Sequence, residues 1–218
     1  MSLTVSASSG GGNFVQVPPG MHLARCYRII DLGTQKTTYK GTEKMSPKVL
    51  FQFEVHSEND EGEPLLTPEG KPLSISKQYT LSLNENAILR HDLQSWRGRA
   101  FTEEELKSFD LQNVLGQWCM LSVVHSQVQD KTYANVENVN PVPAAIKKNG
   151  LPEGANSTVL FSIRSADMEV FETLSENIQN KIKAAPEWEA WKDAPAPTPK
   201  QASAPSNDPS DFEDDIPF

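Results

Sequence analysis

The sequence predicts a mainly β fold: a barrel of five strands with one helix between the third and the fourth. Three observations carry this expectation. Residues 48–55 and 75–83 alternate apolar with polar side chains. The spacing lengthens to that of a helix over 84–98, then returns to strand-like runs from Trp118. No regular strand–helix–strand alternation of the kind that builds parallel sheets runs through the chain.

Residues 1–13 are rich in Ser and Gly and read as a flexible leader without the charged start and apolar stretch of a secretory signal. Val17-Pro-Pro-Gly20 marks a turn. His22 to Leu32 reads as the first strand, ending at Gly33. In the second, Val49, Phe51, Phe53 and Val55 share one face, with Leu50, Gln52 and Glu54 on the other. Ser57 to Pro72 is an acidic, Gly- and Pro-bearing loop. The third strand, 75–83, sets Ile75, Tyr79, Leu81 and Leu83 against Ser76, Gln78, Thr80 and Ser82. Asn84 then offers an N-cap, Leu89, Leu93 and Trp96 form a helical stripe, and Gly98 supplies the stop. Thr102-Glu-Glu-Glu105 is a capping-box pattern for a second, short helix. Trp118 to Val128 and Thr132 to Val139 complete the strands, around a turn at Asp130-Lys131. This is the element order of the OB-fold, a five-stranded Greek-key barrel, expected over residues 14–143.

Beyond Pro143 an extension, 144–192, is expected to hold an extra strand or extended segment at Val159–Ile163. It also holds one amphipathic helix through Met168, Phe171, Leu174, Ile178 and Ile182, ended by Pro186. Residues 193–218 form a Pro/Ala/Ser linker and an acidic tail that cannot bury a core and are expected to be disordered.

The net charge is −9, of which residues 193–218 carry −5. Five further acids crowd 58–69, so the remaining fold is near neutral and has room for a basic groove. Cys26 and Cys119 sit in apolar runs and read as reduced, buried thiols, and no run of ~18 apolar residues predicts a membrane span. A cytoplasmic protein is the expectation. No catalytic constellation is visible. His22, His56, His91 and His125 lack ligand spacing, so neither a metal nor a cofactor is expected.

The last eight residues, Asp211, Phe212, Glu213, Asp214, Asp215, Ile216, Pro217 and Phe218, suit capture by a partner. Pro217 biases Ile216 toward an extended shape, Phe218 joins an apolar ring to a carboxylate, and the acids favour a basic surface. This tail resembles that of bacterial single-stranded DNA-binding proteins, which are OB-folds ending in acids and Ile-Pro-Phe. The resemblance implies docking of replication, recombination and repair enzymes. Over about residues 17–190, Ala24-Arg-Cys-Tyr-Arg-Ile-Ile-Asp-Leu-Gly-Thr-Gln35, Tyr79-Thr-Leu-Ser-Leu83, Ser95-Trp-Arg-Gly-Arg-Ala-Phe-Thr102 and Lys131-Thr-Tyr-Ala-Asn135 are similar to bacteriophage-encoded proteins. Several of those read as single-stranded DNA-binding proteins, which implies a phage origin and a role in replication or recombination.

Sequence-independent binding of single-stranded DNA needs cations for phosphates and flat rings for bases. The candidate cations are Arg25, Arg28, Lys36, Lys40, Lys48, Lys77, Arg97, Arg99 and Lys131, and the candidate rings are Tyr27, Tyr39, Phe53, Trp118 and Tyr133. Phe51, Phe53 and Tyr79 share faces with aliphatic residues, which favours the core for all three. A homo-oligomer is compatible with the sequence. The alternative to a DNA-binding protein is an adaptor that recruits host replication factors without touching DNA. A nuclease or recombinase subunit would need a clustered carboxylate motif for metal-dependent turnover of DNA, which the sequence lacks.

Overall fold

The computed structural model describes residues 15–39, 41–59, 61–165 and 167–192. The leader 1–13 and the tail lie outside them. Five strands pair antiparallel: β1 (Gly20–Tyr39), β2 (Thr42–Val55), β3 (Ser74–Thr80), β4 (Trp118–Val128) and β5 (Lys131–Asn140), in the spatial order β3-β2-β1-β4-β5. Between β3 and β4 stand α1 (Ile88–Arg97) and α2 (Glu103–Lys107). The extension adds α3 (Ala144–Asn149), β6 (Val159–Phe161), α4 (Met168–Glu172), α5 (Glu176–Lys183) and α6 (Pro186–Lys192).

β1 organises the molecule. Its first part, Gly20–Arg25, pairs with β4; past that point β6 takes the vacated edge, running parallel at Arg28–Ile30. β2 follows the other edge throughout, from Ala24 to Tyr39. The change of neighbour falls at a bulge between Cys26 and Arg28. One extra residue there reverses the alternation, so Ala24, Cys26 and Ile29 all join the core inside the sheet. Ile30 and Leu32 turn outward, where they and Leu50 meet Phe161, Ile163, Phe171, Leu174, Ile178, Ile182, Ala185 and Trp188 in a second core. The sheet is therefore buried on both faces where Ile29 to Leu32 of β1 lie beside Val49 to Phe51 of β2.

The first core gathers the predicted stripe of β2 (Val49, Phe51, Phe53, Val55), Tyr79, Leu121, Val139 and the α1 side chains Leu89, Leu93 and Trp96. The ladder is open between β3 and β5, where the OB-fold reading expected closure. Side chains span the seam instead. Lys77 Nζ donates to Asp92 Oδ2 at 2.6 Å and to the Glu137 carbonyl at 2.7 Å, and Tyr79 Oη donates to the same Asp92 oxygen at 2.8 Å. Farther along, Gln16 Nε2 donates to the Thr132 carbonyl at 2.7 Å, and buried Val17 fills the gap.

The β1–β2 arm is longer than the sequence indicated, because Gly33 does not end β1. It takes a positive φ of 68° at a second bulge and the strand runs on to Tyr39. The single predicted helix over 168–182 is two, α4 and α5, broken at Thr173–Ser175, where Gln179 Nε2 caps the Phe171 and Leu174 carbonyls. Pro186 starts α6 instead of only ending a helix; its missing N–H costs nothing in the first turn. The capping box of α2 forms as read, with the Glu105 N–H donated to Thr102 Oγ1 and the Thr102 N–H to Glu105 Oε2.

Candidate nucleic-acid interface

The pairing register lays the outward residues in rows: Arg25–Glu54–Ser74, Arg28–Gln52–Ser76, Ile30–Leu50–Gln78 and, beyond them, Lys48–Thr80. The extension covers Ile30 and Leu50, and Glu54 is fully buried beneath the segment 154–156. What remains open is β3, whose outer face shows Ser74, Ser76, Gln78 and Thr80, all exposed and none of them charged.

Cations flank this strip. Lys48 Nζ donates to Thr80 Oγ1 at 2.7 Å, and Lys181 of α5 donates to Gln78 Oε1 at 3.2 Å. At the other end Ser74, Ser76 and Gln52 share a depression of about 400 Å³ with Tyr133, which is 46% exposed. Lys131 is exposed at the start of the same β5 hairpin. Lys36 projects from the β1–β2 arm and pairs with Glu43 at 2.5 Å. The side chain of Tyr39, and Lys40, lie outside the described residues. So do Asp211 to Phe218.

Other candidates are committed to the fold. Arg25 donates to Glu54 Oε1 at 3.1 Å and to the Asn156 carbonyl at 3.0 Å. Burial raises the Glu54 pKa, but hydrogen bonds from Asn156 and Arg25 outweigh it and hold the carboxyl below its usual range. Phe53 is fully buried and presents no face to a base. Lys77 is the bridge between β3, α1 and β5. Tyr27 is buried at the bulge, beneath the neighbouring Arg28 at 5.5 Å from its ring centre, so Arg28 rather than Tyr27 edges the strip. Arg28 is half-buried, and its Nε has no partner among the described residues.

Three candidates come together elsewhere. Arg97, Arg99 and Trp118 line a groove of about 330 Å³ at the C-terminal end of α1, with Trp96, Phe109, Asn113, Gln117 and Lys147. The Arg97 guanidinium lies 4.5 Å from the Phe101 ring centre and 4.9 Å from that of Phe109. Glu105 pairs with both Arg97 and Arg99. Hydrogen bonds from Arg99, the Thr102 backbone and Arg97 hold its carboxyl at about 2.

The sequence reading passed over Lys147 and Lys181 because both lie in the extension, outside the predicted barrel. Only tertiary packing brings Lys181 to β3. A scan against protein-family models and a search of curated proteins find no match to this chain.

Proposed function

We propose that this chain is an OB-type protein that binds single-stranded DNA without sequence preference and recruits partner enzymes through residues 211–218. The strand order and the helix preceding β4 support the OB-type reading, with the seam between β3 and β5 spanned by side chains. The observation that carries the DNA reading is the uncharged outer face of β3, set between Lys48, Lys181 and the exposed ring of Tyr133. A strand laid there meets hydroxyl and amide groups, cations for its phosphates, and one ring for a base. The tail reading rests on the sequence Asp-Phe-Glu-Asp-Asp-Ile-Pro-Phe. Replication and recombination, in a phage-infected cell, are the setting this reading favours.

A fluorescence titration of the full chain with poly-dT at two salt concentrations tests the proposal. Affinity should fall as salt rises, and Lys48→Glu should flatten the salt dependence. Tyr133→Ala should weaken binding roughly tenfold, the lower part of the range for one base–ring stack. Silence toward poly-dT up to micromolar protein would favour an adaptor. Unchanged partner pull-down after removal of 211–218 would refute the tail's role.

A further inference from the structure

The groove at the end of α1 is built differently from the strip on β3. Its walls are aromatic: Trp96, Phe109 and half-buried Trp118. Its charged members are three cations, Arg97, Arg99 and Lys147, against one carboxylate, Glu105. Its mouth holds two exposed primary amides, Asn113 and Gln117. Arg97 is clamped by two phenylalanine rings and Glu105, yet its Nη1 is buried with no hydrogen-bond partner among the described residues. An unsatisfied guanidinium nitrogen costs free energy unless something accepts from it. Arg99 and Lys147 remain exposed at the rim.

Rings for a π-face, cations for an anion and amides for a polar ring edge are the three needs of a nucleotide. The volume of about 330 Å³ sits at the small end of ligand sites (~300–1,000 Å³), with room for one such unit and not for a run of strand. We infer that this groove binds a single nucleotide, its base against Trp118 and Phe109 and its phosphate at Arg97, Arg99 and Lys147. The nucleotide is either free or one unit splayed from a strand. Only the second source rests on the single-strand reading. Glu105 pairs with both arginines, so a bound phosphate competes with it.

The test titrates the full chain with dTMP and, separately, with a dT oligomer. Tryptophan fluorescence reports, because two of the four tryptophans line the groove. A saturable change is expected, weakened roughly tenfold by Arg99→Ala, the loss of one charged contact, and at least roughly tenfold by Lys147→Glu, which reverses one. Glu105→Gln should tighten it, since Gln keeps the cap and removes the competing charge. Both altered cations are exposed, and melting temperatures of all variants verify folding. A response to both ligands assigns a free-nucleotide site; a response to the oligomer alone assigns a splayed one. No response to either, or responses blind to all three substitutions, overturns the inference. So does a groove that answers only to a peptide of residues 211–218. Poly-dT binding that needs Lys48 and Tyr133 but ignores these three residues sinks the groove and spares the strip. A dTMP response in a chain that ignores poly-dT does the reverse.

Discussion

Replacing Lys77 with Met separates a structural lysine from a DNA-binding one. The Lys77 ammonium lies 2.6 Å from Asp92, whose side chain is 4% exposed, and it also reaches the Glu137 carbonyl across the open seam. Methionine fills the space of the stem but leaves the Asp92 carboxylate with Tyr79 as its main remaining donor. Removing one partner of a buried pair costs ~3–5 kcal/mol, and because the Lys77 side chain is still 13% exposed the low end applies, about 3 kcal/mol. For a chain of this size that lowers the melting temperature by roughly 6–12 °C. Thermal unfolding followed by circular dichroism measures it. The double variant Lys77→Met/Asp92→Leu should recover at least half of the loss, because no charge is then left buried alone. A Lys77→Met protein that melts with the wild type but loses poly-dT affinity would refute the reasoning and return Lys77 to the proposed DNA-binding residues.

Glu105 gives a pH signature. Its folded pKa of about 2 lies below the ordinary value of ~4.3, so its stabilisation is complete above ~4.3 and is lost as pH falls through about 2. The melting-temperature gap between wild type and Glu105→Gln should hold steady above about pH 5 and shrink toward pH 2. Glu54→Gln removes the charge that Arg25, Asn156 and the Ala155 amide share; we expect a loss of about 2–3 kcal/mol in urea unfolding and faster proteolysis within 150–158. Gly33→Ala meets both a positive φ of 68° and a Cβ only 2.6 Å from that of Ala185, so it should cost about 2 kcal/mol and shift the emission of Trp188 as α6 is pushed from β1.

The alternation in β2 was legible because its inner face is uniformly apolar. The bulge at Tyr27 was not: it leaves no compositional mark, yet it decides that Ile29 and Ile30 enter different cores. The seam did leave a mark. Lys77 shares parity with Ile75 and Tyr79, and Asp92 falls between Leu89 and Leu93 on the buried stripe of α1. One charge of each sign on two apolar faces is the pattern of a buried pair, and it argues against solvent exposure for either. Of the predicted DNA contacts, Lys48 and Tyr133 stand at the strip, whereas Arg97, Arg99 and Trp118 meet in the groove. No spacing rule joins Arg97 to Trp118; the turn of chain through α2 does.

The extension determines what the sheet can offer. In a bare five-stranded sheet of this order, the outer faces of β1, β2 and β3 would form one continuous platform. Here α4 to α6 occupy β1 and β2, drawn by Ile30, Leu32 and Leu50, apolar residues on a face the alternation otherwise reserves for polar ones. That leaves the seven residues of β3, a strip of roughly 20 Å at ~3.3 Å per residue. On the proposed reading, a nucleic-acid strand held there would contact few nucleotides, toward the low end of the ~4–16 observed per OB domain. The cover also brings Lys181 to the edge of the strip, placing a cation beside Gln78 that the five antiparallel strands do not themselves supply there. Deleting the extension would therefore both expose apolar sheet and remove the Lys181 cation from the edge of β3. A wider platform gained that way would cost the stability of β1, whose Ile30 and Leu32 are buried in the second core.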